Sequence, residues 1–166
     1  HLDLRVGDLE TDLDGLPVTV RANAAVQDVN RQVIAGTTDL LVHPADRYVG
    51  LGGGDTFVRP GDELTIDVIV TDIDGAAVVG HEIEVVAGRV QSRFVDDAWT
   101  DELLDVTTCT VTSAAEPVPC TVTPPSGGTY RIRATVTDDA GRISRTETTR
   151  WVSGAAAVPS RTVRRE

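Results

Sequence analysis

Polar and apolar residues alternate along most of this chain with a period of two. In ELTIDVIVTDIDG, Leu64, Ile66, Val68 and Val70 fall on one side and Thr65, Asp67 and Thr71 on the other. That is the pattern of a strand with one buried face. TYRIRATVTD repeats it, with Tyr130, Ile132, Ala134 and Val136 inward and Arg131, Arg133, Thr135 and Thr137 outward. PVTVRANAAV does the same through Val18, Val20, Ala22, Ala24 and Val26. Further strands are expected at 33–42, 48–51, 83–90, 106–111, 118–123 and 144–152. One segment, DDAWTDELLDV, reads as a short helix, because Trp99, Leu103 and Val106 share a face at helical spacing.

Turn residues divide these runs. Pro60 and Gly61 form a strong turn signal. Asp74 and Gly75 are expected to close a two-residue hairpin, since both tolerate positive φ. PPSGG at 124–128 and DDAG at 138–141 break the chain before and after the Tyr130 run. About seven short strands with turns every eight to twelve residues imply an all-β fold, an antiparallel two-sheet sandwich. It is expected to occupy residues 47–153, with 154–166 as a linker.

The chain carries one ending twice. RANAAVQDVNRQVIAGTTDLLV and RIRATVTDDAGRISRTETTRWV match at Arg21, Ala24, Val26 and Asp28 against Arg131, Ala134, Val136 and Asp138, each 110 positions on. Residues 1–46 therefore read as the truncated C-terminal strands of a preceding, similar unit, in a tandem array of β modules. The chain begins at His1, without Met, and is expected to be a piece of a longer protein. Val18, Val20, Val26, Leu40 and Val42 must find cover on the complete sandwich, on a neighbouring chain or on a swapped strand. A domain-swapped or edge-paired second copy is accordingly an expected partner.

Composition narrows the chemistry. Hydrophobic residues make up 40% of the 166, enough for a packed core, while aromatics are 4% and Met is absent, so Val, Ile, Leu and Ala must build it. A net charge of −11 repels nucleic acid and anionic membranes. All fifteen basic residues are arginine, spread along the chain without forming a basic face. No apolar run approaches the roughly 18 residues that span a bilayer as a helix, and no leader peptide is read at the start.

Few residues are candidates for a site. If Cys109 and Cys120 lie opposite each other across a hairpin at TSAAEP, Val111 faces Val118 and Thr107 faces Val122, a register that favours a disulfide. The alternative is two free cysteines acting as small buried hydrophobes. TDLDG at 11–15, TDIDG at 71–75 and the pair Asp138 and Asp139 suggest oxygen ligands for calcium, but none continues into the required loop, and turns in an acidic protein are the favoured reading. No metal and no cofactor is expected. His1, His43 and His81 form no paired metal or catalytic motif, and no phosphate-cradling loop is read in GLGGGD at 50–55, which is expected to be a flexible bulge. Tyr130, Trp99 and Trp151 could form a sugar platform, but core or interface packing is favoured, with Tyr130 placed like the tyrosine corner of related sandwiches.

Several spaced segments agree, in order, with one family. HPADRYVGL, VRPGDELTIDVIVTDIDGAAVVGHEIEV, CTVTSAAEPVPCTVTPPSGGTYRIRATVTDDAGR and TRWVSG together resemble the macroglobulin-like domains of bacterial alpha-macroglobulins. The resemblance implies an Ig- or fibronectin-like macroglobulin sandwich, one non-catalytic module of a broad-spectrum protease trap. It also implies adjacent macroglobulin-like domains and target proteases as partners of the parent, and a periplasmic, lipid-anchored setting. The family's thioester segment is not found, since Cys109 and Cys120 are each followed by Thr, and no bait-like stretch is evident. The competing reading is an Ig-like repeat of a bacterial surface adhesin or stalk, which would share the fold and the acidity.

Overall fold

The computed structural model describes residues 14–54, 57–95 and 97–154. The strands are β1 (Val18–Gln27), β2 (Val33–Val42), β3 (Arg47–Gly52), β4 (Phe57–Val58), β5 (Leu64–Asp72), β6 (Glu82–Val95), β7 (Ala98–Thr112), β8 (Val118–Val122), β9 (Gly128–Thr137) and β10 (Ile143–Val152). There is no helix among the described residues. One sheet has the order β4–β10–β9–β6–β7, a second the order β3–β5–β8, and β1–β2 is a separate hairpin. Every named pair is antiparallel except the short β4, which the sequence did not reveal and which lies parallel to β10 through Trp151↔Phe57 and Val152↔Val58.

The two larger sheets bury one face each against the other. Leu64, Ile66, Val68 and Val70 of β5 meet Ile83, Val85 and Ala87 of β6 and Tyr130, Ile132, Ala134 and Val136 of β9, and none is more than 1% exposed. Alternation alone decides this, because residues two apart share a face and must be apolar together. Each such Val, Ile or Leu removes enough apolar surface from water to contribute roughly 1.5–3 kcal/mol before its lost conformational freedom is counted.

The helix expected in DDAWTDELLDV does not form. Asp96 lies outside the described residues; from Ala98 onward the segment is β7, paired with β6 as far out as Val95↔Ala98. A β-bulge explains the misleading spacing. The register slips between Ala87 and Arg89, with Asp105 at φ 52°. The extra residue puts Leu103 and Val106, three apart in sequence, over the same Gly88: a Cβ built there would lie 3.0 Å from Leu103 and 3.3 Å from Val106. Arg89 steadies the bulge by donating from Nε to the Asp105 carboxylate at 2.8 Å.

Three hairpins turn on one device. In each an aspartate ends the strand, and its Oδ1 accepts the backbone N–H groups two and four residues on: Asn30 and Gln32 for Asp28, Asp74 and Ala76 for Asp72, Ala140 and Arg142 for Asp138, all at 2.8–3.0 Å. The fourth residue takes a positive φ: Arg31 at 64°, Gly75 at 89°, Gly141 at 78°. The two-residue turn expected at Asp74 and Gly75 is therefore corrected. Asp72 N–H donates to Ala76 O, leaving three residues in the turn, and only Gly75 adopts positive φ.

The internal repeat extends to the pairing. Val26↔Ile34, Ala24↔Gly36 and Val18↔Val42 of the first hairpin recur as Val136↔Ser144, Ala134↔Thr146 and Gly128↔Val152 of the β9–β10 hairpin, every number 110 higher.

Cys109 and Cys120 are joined, with Cα atoms 6.1 Å apart. The hairpin drawn for them from sequence is overturned. Cys109 on β7 pairs with Val85 of β6, and Cys120 on β8 pairs with Ile66 of β5. The residues between β7 and β8 cross from one sheet to the other, so the bond ties the edge strands of opposite sheets. Closing this short loop should contribute about 2–3 kcal/mol through the unfolded chain. Urea unfolding with and without reductant checks it: loss of the bond should lower stability by about that amount while far-ultraviolet circular dichroism stays that of a β protein.

Candidate functional site

The densest polar cluster lies where the chain passes from β2 into β3. Short, stiff HPADR makes this passage. Pro44 and Ala45 are buried, so the backbone is held against the sandwich. Asp46 then donates its N–H to Asp138 Oδ2 at 3.2 Å, which docks the connector on the β9–β10 turn. Arg47 is 9% exposed as a residue; its guanidinium donates to both carboxylate oxygens of Asp139, at 3.2 and 2.6 Å, and to His81 Nδ1 at 2.9 Å. Arg142 reaches back to Asp138 at 2.7 Å and to Asp46 at 3.7 Å.

Asp138 is the hub. Its side chain is fully covered, which pushes the carboxyl upward. Donation from the N–H groups of Arg142, Asp46 and Ala140 and from the Arg142 guanidinium outweighs that and holds it at about 2. Asp139 is lowered as well, chiefly by the hydrogen bond from Arg47. A second thread joins the same region: Arg145 N–H donates to Gly15 O at 2.9 Å, and its side chain pairs with Asp14. The start of β1 and the end of β2, opposite each other at Val18↔Val42, are thus both fastened to the sandwich near β10 and the β9–β10 turn. The arrangement positions two parts of a chain. It gathers no group of three or more metal-ligating side chains among the described residues.

The residues singled out from sequence scatter. Tyr130 is fully buried and its hydroxyl donates to Ser126 O at 3.0 Å, the backbone bond of a tyrosine corner. Trp99 and Trp151 are 61% and 46% exposed, so of the expected core or interface packing only the core half is overturned. Trp99 sits beside Phe94 where β6 and β7 run beyond their pairing with β9, and Trp151 pairs in register with Phe57 at the β10 edge. The three aromatics share no platform. Asp74 and Gly75 serve a turn, and Asp72 and Asp138 spend their oxygens on backbone donors and, for Asp138, Arg142. Thr11 to Leu13, His1 and residues 155–166 lie outside the described residues, as does Asp55 of GLGGGD. Within that segment Gly54 has φ 73°, and a Cβ there would collide with Thr65 O, so close approach to β5 requires the glycine. His43 shares a 2.6 Å hydrogen bond with the Tyr48 hydroxyl.

Arg47, Asp46 and Arg142 escaped the sequence reading, and Asp139 and His81 were considered there without being joined to them. Apart from the local Asp138–Arg142 and Asp46–Arg47 pairs, their contacts join positions 34 to 96 residues apart. The available signal was the recurrent aspartate at each strand end, which marks Asp138 as a turn residue but not as a docking point.

No family model matches the chain. Over 150 residues it is 27% identical to an alpha-2-macroglobulin homolog of Nostoc sp., a match covering 86% of this chain. The resemblance to alpha-macroglobulins read from the sequence is shown by this relative. The chain spans only 8% of the relative's length. Among solved structures, Spo0M, a sporulation control protein of Bacillus subtilis, is 14% identical with a TM-score of 0.45, covering 67% of this chain and 51% of its own. Salmonella alpha-2-macroglobulin reacted with methylamine is 13% identical with a TM-score of 0.44, covering 81% of this chain and 10% of its own. Likenesses this loose carry no argument about function.

Because the Asp138 carboxyl is held at about 2 in the folded chain, below its ordinary value near 4, its contribution is present above pH 4 and is lost as pH falls towards 2. Melting temperatures measured from pH 7 to pH 2 should fall over that window. Asp138→Asn should melt lower at pH 7 and show a shallower fall; an unchanged pH profile in the variant would contradict the role given to Asp138.

Proposed function

We propose that this chain is a non-catalytic scaffold module of a bacterial alpha-2-macroglobulin-like protease inhibitor. The Nostoc relative, aligned over most of the chain, is the observation that carries this reading. In it, residues 47–153 form one complete macroglobulin-like sandwich, 1–46 hold the closing strands of the preceding one, and 154–166 lead towards the next. The identical pairing of the β1–β2 and β9–β10 hairpins supports that division. The module's work is mechanical. It holds neighbours at a fixed angle through the Asp138 cluster, while capture of a protease belongs to other parts of the parent.

The inter-sheet disulfide supports an oxidising, extracytoplasmic setting, which we take to be the periplasm, with the parent anchored there as a lipoprotein. The partners are then the adjacent macroglobulin-like domains and, through the whole parent, its target proteases.

Proteases separate this from a simple repeat array. The full-length parent should block cleavage of a protein substrate such as casein by several endopeptidases, whereas the 166-residue chain alone should neither inhibit them nor be cut rapidly at one site. A parent without effect on the proteases, or a chain carrying one preferred cleavage site, would overturn the reading.

A further inference from the structure

An edge strand leaves half of its backbone groups unpaired, and folded proteins guard such edges with short strands, proline, charge or bulges. In the two facing sheets β4 is two residues long, β3 is six, and β8 carries Pro119. β7 differs. It runs for 15 residues along the outside of its sheet, and among the described residues only β6 pairs with it. Asp101, Glu102, Asp105 and the bulge guard its first half. Its second half, 106–112, reads VTTCTVT, with no charge, proline or glycine. Such a segment invites another strand.

The ladder shows which groups it offers. Ser113 N–H donates to His81 O at 2.8 Å, and these two residues continue the β6–β7 register. Hydrogen-bonded pairs therefore fall at Ile83↔Val111, Val85↔Cys109 and Ala87↔Thr107. The N–H and C=O groups of Thr108, Thr110 and Thr112 point away from β6, and among the described residues no backbone group meets them. Their side chains stand on the exposed face of the sheet.

Charge on that face selects the partner. Glu84 stands across from Thr110 and Glu82 across from Thr112, and with Thr135 and Thr137 they line an open, polar depression. Neither glutamate has an ion-pair partner among the described residues. The arginines of this face are engaged elsewhere, Arg133 with Glu147 and Arg131 with Asp101 and Glu147. A strand added to β7 would lie two strand spacings, about 10 Å, from β6. Thr110 between them is short, so an Arg or Lys on the outer face of the added strand can reach over it to Glu84. A second copy of β7 would bring only Thr and Val to these carboxylates, on a chain of net charge −11.

We propose that residues 106–112 of β7 form a strand-addition site for an extended basic segment of another protein. The segment pairs antiparallel with β7 through the outward backbone groups of Thr108, Thr110 and Thr112. Its outer-face residues are Arg or Lys, directed towards Glu82 and Glu84. Its alternate residues are β-branched and apolar, beside the half-buried Cys109 and Val111. Main-chain bonds supply affinity and the two glutamates supply the preference for positive charge. Nothing in this depends on the inhibitor reading.

Fluorescence anisotropy of labelled peptides titrated with the 166-residue chain tests the proposal. The alternating peptide acetyl-RVRVRVR-amide should bind saturably, and less tightly as salt rises. Acetyl-EVEVEVE-amide should not bind, and acetyl-RRRRVVV-amide, equal in composition but without alternation, should bind about tenfold more weakly. Thr110→Pro removes an outward N–H while sparing the ladder to β6, so it should weaken the alternating peptide about tenfold with the β circular dichroism retained. Glu84→Gln should weaken it by about threefold. Equal binding of the two arginine peptides would reduce the effect to general attraction by an acidic chain and overturn the proposal. Unchanged binding in both variants, or no binding at all, would overturn it too. So would a dimer in sedimentation velocity that Thr110→Pro dissociates, because a second copy would then hold the edge.

Discussion

A β-sheet with one apolar face is unstable until something covers it, and that requirement organises the whole chain. Between β5 on one side and β6 and β9 on the other it is met completely, by side chains placed at every second position. With 4% aromatics, the interior relies on many medium-sized aliphatic contacts and a single large residue, Tyr130, secured by its hydroxyl to Ser126. The disulfide joins β7 and β8, the edge strands of the two sheets among the described residues.

The same requirement gives the junction its importance. A hairpin that cannot bury its own face has to be held in place from its ends, and both ends of β1–β2 are held. One end is fixed through Asp14 and Gly15 on Arg145, the other through Pro44 to Arg47 on the β9–β10 turn. Asp138 does two jobs with one carboxylate: Oδ1 shapes its own turn, and Oδ2 accepts the incoming connector and Arg142. One carboxylate thereby sets where the hairpin stands on the sandwich.

The sequence revealed whatever depends on local alternation. Nearly every strand lies where the period-two pattern put it, and the repeat was visible because its residues keep a constant offset. Errors arose where an irregularity broke the period. The bulge at Asp105 made a strand look helical, and the crossing between β7 and β8 made an inter-sheet bond look like a hairpin bond. The Arg47–Asp139–His81 cluster stayed hidden because charged residues distant in sequence carry no periodic signal. Core packing of Trp99 and Trp151 failed because size suggests burial, whereas here both stand exposed near strand ends.

The most direct test is to produce residues 44–154 and residues 14–43 as separate polypeptides and to record their thermal unfolding by circular dichroism. If facing sheets supply the stability, 44–154 will melt in one cooperative step and 14–43 will show no cooperative transition. A sharp transition in the isolated hairpin, or an unfolded 44–154, would contradict the account.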